Sequence, residues 1–226
     1  MIIGINGLKE SGKDTIANFL IAKYGFERYA FADRMKKAVY ELNPYVLVSP
    51  KVGELFSFAD GIEYIPYLKK FIIRIATLID KIGWDEAKKE EEVRLILQRF
   101  GTQAGRNIHG DMVWVDLLFN QLESEGKVNF FYNYPDRGFY DSKIVITDVR
   151  FNNEAGKIKD FGGRVISIRS EVSASDSHES EQGIKPVLVD FYLDNPRILV
   201  DGEYVYTKPL DRVLSELRQY LEKNVW

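Results

Sequence analysis

The feature that most constrains this chain lies in its first fifteen residues. Ile2-Ile3-Gly4-Ile5 is a short apolar run of the kind that forms a buried parallel strand. It leads directly into Gly7-Leu8-Lys9-Glu10-Ser11-Gly12-Lys13-Asp14-Thr15. From Lys13 onward, Ile16, Phe19, Leu20 and Tyr24 recur at helical spacing, and Gly25 stops the helix. A Gly-x4-Gly-Lys loop set between a strand and a helix is the context of a phosphate cradle. The glycines let the backbone curl until successive N–H groups point inward, and the following helix adds its positive end. Lys13 supplies a mobile cation for the β- and γ-phosphates of a nucleotide. Gly7, Glu10, Ser11, Gly12, Lys13, Asp14, Thr15 and Ile16 are therefore the expected ATP-binding set. A plain glycine turn before an ordinary helix is the competing reading, and the strand–loop–helix context weighs against it.

One position departs from the usual pattern. Ser or Thr normally follows the lysine and gives its hydroxyl to Mg²⁺. Here Asp14 stands in that place and the hydroxyl comes one residue later, at Thr15. Asp14 either reaches the magnesium, directly or through water, or is only a negative charge at a helix N-terminus. Thr15 is the second candidate, for the metal or for a phosphate oxygen.

The rest of the chain continues as strands and helices. It is read as one α/β domain over 1–226, a three-layer fold with a parallel sheet flanked by helices. Phe26 to Phe31 reads as a strand, and Asp33 as the cap of a helix through Leu42. Pro44, Pro50, Gly53 and Gly61 mark 43–61 as an irregular excursion. Tyr64 to Ile82 and Glu86 to Phe100 read as helices, the second opening with a Glu/Lys run taken as a solvated face. Asp111 to Glu123 is a further helix. Ile144-Val145-Ile146-Thr147-Asp148 reads as a central parallel strand whose carboxyl end faces the ligand crevice. Asn152 to Phe161 is a helix, Arg164 to Arg169 a strand, Arg197 to Tyr206 a hairpin and Pro209 to Lys223 a closing helix. Two segments stand apart. Residues 127–142 are rich in aromatics and suit a surface cluster or a subunit contact, which leaves a homodimer open. Residues 170–186 are polar and small, the composition of a mobile loop.

Composition removes several function classes. Thirty-one basic against 34 acidic residues leave a net charge of -3, without the basic excess expected of a protein that binds nucleic acid polymer. Zero cysteines exclude disulfides and thiolate chemistry, and His109 and His178 alone leave little room for a histidine metal centre. With 45% hydrophobic residues the chain can bury a sizeable core. No stretch approaches the ~20 apolar residues that span a bilayer. The first residues carry no basic n-region, so the expected location is cytoplasmic.

GLKESGKDT near 7, FADRMK near 31, QRFGTQAGRN near 98, DMVWV near 111, TDVRFNNEA near 147 and DSHESEQG near 176 occur in that order. Together they resemble the deoxynucleoside monophosphate kinases of tailed bacteriophages. The resemblance passes over 43–90 and 127–142, and the GKDT form of the loop is itself a family feature. It implies a P-loop kinase fold with a lid at 170–186, in the host cytoplasm if phage-encoded. The implied reaction moves the γ-phosphoryl group of ATP, with Mg²⁺, to a deoxynucleoside 5′-monophosphate.

Site roles follow from the same resemblance. Lys9 and Lys36 match basic positions for the acceptor phosphate, with a solvent lysine as the alternative at each. Arg106 is a candidate bidentate clamp on that phosphate, and Asn107 and Trp114 approach the nucleoside. Trp114 as plain core is the competing reading. Asp148 would hold Mg²⁺ through water or accept a proton, and Arg150 would neutralise charge on the transferred group. A structural Asp148–Arg150 ion pair is their alternative. Glu154 would orient Arg150 or touch the base. Ser180 and Glu181 would face the nucleotide from the lid, near His178, with Arg169 at the root; a polar surface loop with no ligand contact is the alternative. Two rivals remain: a different small-molecule P-loop kinase, resembling dephospho-coenzyme A kinase, and a nucleotide-binding regulator or ATPase that transfers to nothing. An assembly ATPase would carry a clear strand-then-acidic pair and a basic surface, and this chain has neither beyond Asp148.

Overall fold

In the computed structural model the described residues are 1–8, 10–128, 142–170, 183–200 and 203–224. Lys9, His178, Ser180 and Glu181 lie outside them, with nearly all of 127–142 and most of 170–186. The strands are β1 (Ile2–Gly7), β2 (Glu27–Tyr29), β3 (Tyr45–Val48), β4 (Glu63–Ile65), β5 (Lys70–Arg74), β6 (Ile144–Val149), β7 (Arg164–Arg169), β8 (Phe191–Asp194), β9 (Arg197–Val200) and β10 (Glu203–Tyr206). The helices are α1 (Lys13–Tyr24), α2 (Phe31–Leu42), α3 (Pro50–Gly53), α4 (Ile75–Ala87), α5 (Glu91–Arg99), α6 (Asn107–His109), α7 (Val113–Ser124), α8 (Asn152–Asp160) and α9 (Leu210–Asn224). A π-helical turn, Phe100–Arg106, joins α5 to α6. Backbone contacts divide the chain into two compact units, one of 1–31 with 115–226 and one of 32–114.

The first unit is built on five parallel strands in the order β2-β6-β1-β7-β8. The chain runs from β1 outward to β2, returns to β6, and crosses β1 to reach β7. That reversal makes the carboxyl end of β1 a switch point, where open α/β sheets place their ligands. Strand alternation sends Ile3 and Ile5 to one face, where they meet Ile16 and Leu20 of α1 and Val213, Leu217 and Leu221 of α9. Each such buried aliphatic contributes about 1.5–3 kcal/mol. Gly4 points to the other face, where a Cβ would sit 2.6 Å from Ile158 Cδ1 of α8. Helices thus cover both faces of the expected parallel sheet. The hairpin of β9 and β10 is present as read, and Gly25 ends α1 in the left-handed conformation at φ 74°.

The second unit corrects two readings. Residues 43–61 are not irregular throughout: β3 lies there and pairs antiparallel with β5, giving a sheet of order β3-β5-β4. Tyr64 to Ile82 is not one helix but β4, a turn, β5 and the start of α4. Its turn passes through Lys69 at φ 51° with no glycine or asparagine to mark it. The Glu/Lys run is more than a solvated face. Glu92 accepts the N–H of Leu47, and Glu90 accepts the N–H of Ser49 at 2.7 Å and its hydroxyl at 2.8 Å. These carboxylates cap polar groups that the edge strand β3 leaves unpaired. The unit has its own core, with Val39, Val46, Ile73, Ile75, Leu78, Val93 and Leu97 among its buried members.

Candidate active site

The loop between β1 and α1 bends through left-handed backbone. Glu10 sits at φ 60° and Gly12 at φ 96°. A non-glycine residue there costs on the order of 1–3 kcal/mol unless its surroundings hold it. Gly12 has a second reason to be glycine, since a Cβ would lie 2.7 Å from Asn195 Nδ2. The Lys13 ammonium bends back over the loop and donates to the carbonyls of Gly7 at 2.8 Å and Leu8 at 2.5 Å. Glu10, Gly12, Lys13, Asp14, Thr15 and Tyr206 line an open cleft of about 200 Å³. Ser11 Oγ is buried against the loop with no hydrogen-bond partner among the described residues. Ile16 is different: its side chain is in the core and its N–H donates to Gly12 O at 3.1 Å, so it anchors the helix beneath the cleft.

Asp14 and Thr15 are exposed on the first turn of α1. Among the described residues no group of three or more His, Asp or Glu is placed to hold a metal by itself. One carboxylate and one hydroxyl beside a phosphate loop nevertheless suit Mg²⁺, which binds few protein oxygens and keeps phosphate and water ligands.

The carboxyl end of β6 lies beside the loop. The β1–β6 register runs Gly4 to Ile146 and then Asn6 to Val149, so β6 carries one extra residue where Asp148 stands. Such an irregularity turns a side chain away from its regular direction. Asp148 Oδ1 accepts the N–H of Phe31 at 2.8 Å and so caps α2. This corrects the cap assignment: Asp33 lies inside the first turn, 3.8 Å from Lys36 Nζ. Asn6 donates to Val149 O at 2.8 Å and accepts the Ser167 hydroxyl at 3.0 Å, tying β6, β1 and β7 together at their carboxyl ends. Arg150 is exposed. Glu154, 2% exposed, accepts the backbone N–H groups of Arg150 at 2.7 Å and Phe151 at 3.0 Å. It shapes the turn that carries Arg150.

Lys36, Arg106, Asn107 and Trp114 all belong to the second unit. Lys36 and Arg106 are half-buried and Asn107 is exposed. Trp114 is 8% exposed and donates its indole N–H to Gly101 O at 2.8 Å. Its ring lies flat enough on the π-helical turn that a Cβ on Gly105 would come within 2.5 Å of it. Trp114 therefore packs as a wedge under the segment that bears Arg106.

Sequence reasoning missed three residues. Arg197 Nη1 donates to Glu10 O, Tyr206 OH donates to the same oxygen at 3.1 Å, and Asn195 Nδ2 donates to Ser11 O at 2.9 Å. Arg169, the expected cation at the root of 170–186, makes a bidentate pair with Asp194 at 2.7 and 3.1 Å. Both partners of that pair are more than half exposed, so it contributes at most about 1 kcal/mol.

A parallel sheet with a lysine-bearing phosphate loop at the end of its middle strand defines the class of P-loop α/β proteins. Residues 1–65 and 64–203 match the model of the family described as deoxynucleotide monophosphate kinase, and the chain belongs to that family of phosphotransferases. A protein of Acanthamoeba polyphaga mimivirus described as "Putative deoxynucleotide monophosphate kinase" is 29% identical over 198 residues, covering 83% of this chain and 83% of that protein. Among solved structures, dephospho-CoA kinase from Campylobacter jejuni aligns with a TM-score of 0.40 and 14% identity over 100% of this chain and 98% of that one.

Proposed function

We propose that the protein transfers the γ-phosphoryl group of ATP to a deoxynucleoside 5′-monophosphate, yielding ADP and the diphosphate. The observation that carries this reading is the loop itself, with Glu10 and Gly12 at positive φ and Lys13 bent across it in a chain of this family. An oxygen of the acceptor phosphate attacks the γ-phosphorus, and the bond from that phosphorus to the β–γ bridging oxygen breaks. The acceptor is already an anion, so the step needs no base. It needs positioning and cations around the transferred group. The inward N–H groups of the loop hold the donor phosphates, and Lys13 moves from the carbonyls of Gly7 and Leu8 onto them. A bound phosphate with its water shell also gives the buried Ser11 hydroxyl the partner it otherwise lacks.

Asp14 and Thr15 are the proposed protein ligands of Mg²⁺, which when bound supplies charge neutralisation on the β- and γ-phosphates. Arg150 meets charge on the transferred group, with Glu154 fixing its backbone. Lys36 and Arg106 hold the acceptor phosphate. Asn107 approaches the nucleoside, and Trp114 acts through the turn it supports. Asp148 caps the backbone at Phe31.

A coupled assay of ADP release over a panel of deoxynucleoside and ribonucleoside monophosphates, with dephospho-coenzyme A alongside, tests the assignment. ADP release that depends on a deoxynucleoside monophosphate is the expected result. Release driven by dephospho-coenzyme A alone, or release needing no acceptor, supports one of the two rivals instead.

A further inference from the structure

We propose that Asn195, Arg197 and Tyr206 form an outer clamp that keeps the phosphate loop in its ligand-binding shape, with Arg197 as the central positioning residue. The inference rests on reading Gly7–Thr15 as the ATP-phosphate loop. A loop that binds an anion with inward N–H groups must turn its carbonyl oxygens outward, where they need donors of their own. For Glu10 and Ser11 those donors come from one stretch, the end of β8 and the hairpin that follows it. Glu10 O takes two, from Arg197 Nη1 and Tyr206 OH, and Ser11 O takes one, from Asn195 Nδ2. The two carbonyls belong to Glu10, itself at φ 60°, and to Ser11, which stands between it and Gly12 at φ 96°.

Arg197 is built for such a task. It is 4% exposed, and its Nε donates to Ser170 Oγ at 2.9 Å, so one rigid guanidinium joins the loop to the end of β7. The Glu10 carboxylate lies 3.9 Å from Nη1 and adds a charge partner. A buried guanidinium is stable only while its acceptors stay in place, so arginine and loop hold each other. Tyr206 lies beyond the residues that match the family model, which end at 203. Asn195 and Arg197 are buried against the loop, Tyr206 reaches it from the lining of the cleft, and all three donate to its carbonyls, so they act by positioning. Loosening them should weaken ATP binding and leave the acceptor untouched.

The test titrates the full chain with ATP in magnesium buffer and measures KM for each substrate and Tm without nucleotide. The variants are Tyr206→Phe, Arg197→Lys and Lys13→Ala. Tyr206→Phe keeps the ring and removes one donor, so ATP affinity should fall about two- to tenfold with Tm and the acceptor KM unchanged. Arg197→Lys cannot reproduce the fork and should lose more than about tenfold. If both variants bind ATP as the wild type does, the clamp is wrong. A fall in Tm with unchanged ATP affinity also overturns it, because a purely structural contact behaves that way. Should Arg197→Lys fail to fold, Tyr206→Phe decides by the same criterion. Lys13→Ala separates the two levels: wild-type turnover there sinks the loop reading and the clamp with it. Loss of turnover in Lys13→Ala beside unaltered clamp variants sinks the clamp alone.

Discussion

At the scale of single residues, Lys13 and Arg150 do different work in this account, and kinetics can separate them. The Lys13 ammonium rests on the carbonyls of Gly7 and Leu8, outside the hydrophobic core. Lys13→Ala should therefore leave the melting temperature near its wild-type value while turnover falls by at least about a hundredfold, the usual cost of removing one preorganised charge-stabilising group. A thermal melt beside a steady-state assay checks both halves. Arg150 is exposed at the end of β6, and Glu154 Oε2 accepts its backbone N–H. If the guanidinium meets charge that develops during transfer, Arg150→Ala lowers kcat and leaves ATP affinity nearly unchanged. An equal loss in ATP affinity, or a clear drop in stability, would assign Arg150 a structural pairing instead. The loop around Lys13 was legible because its chemistry is local: two glycines, a lysine and the flanking strand and helix. Arg197 was not, because it contacts Glu10 across 187 residues of chain. An arginine at the head of an apolar strand carries no local mark of what it will touch.

At the scale of elements, legibility followed the same division between local and distant causes. The parallel strands β1, β2, β6 and β7 and their helices were readable because apolar periodicity records which face is buried, whereas β8, a four-residue strand at the sheet edge, was not read. The sheet of β3, β5 and β4 was not, because β3 and β5 pair across more than twenty residues and the turn at Lys69 lacks glycine. Glu90 and Glu92 looked like surface charge because nothing in the run reveals that an edge strand will need their oxygens. The π-helical turn at Phe100–Arg106 is the element that most deserves a mutation. Such turns disturb helical hydrogen bonding and often mark functional positions. Its Gly105 is buried, and a Cβ there would lie 2.5 Å from Trp114 Cζ2 and 2.8 Å from Nε1, atoms of a rigid ring. Gly105→Ala should destabilise the protein by about 1–3 kcal/mol. It should also displace Arg106 and raise KM for the acceptor with little change in KM for ATP. Thermal melts and a two-substrate kinetic matrix read these effects. Unchanged acceptor KM in a folded variant would take the turn out of the proposed acceptor site.

At the scale of the whole molecule, the chain carries two cores, one under the parallel sheet and one around the antiparallel sheet. The proposed donor residues and the proposed acceptor residues Lys36, Arg106, Asn107 and Trp114 fall in different units. The net charge of -3 means that phosphate binding rests on a few placed cations and backbone N–H groups rather than on a broad positive field. Among the described residues no helix is long and apolar enough to cross a membrane. The central claim is that these parts perform one transfer, from ATP to a deoxynucleoside monophosphate. ATP labelled at the γ-phosphoryl group, incubated with the protein, Mg²⁺ and each deoxynucleoside monophosphate in turn, follows that transfer atom by atom. The account predicts label recovered as the β-phosphoryl group of at least one deoxynucleoside diphosphate, matched one for one by ADP and lost in Lys13→Ala. Label released only as inorganic phosphate, at the same rate with and without acceptor, would contradict it.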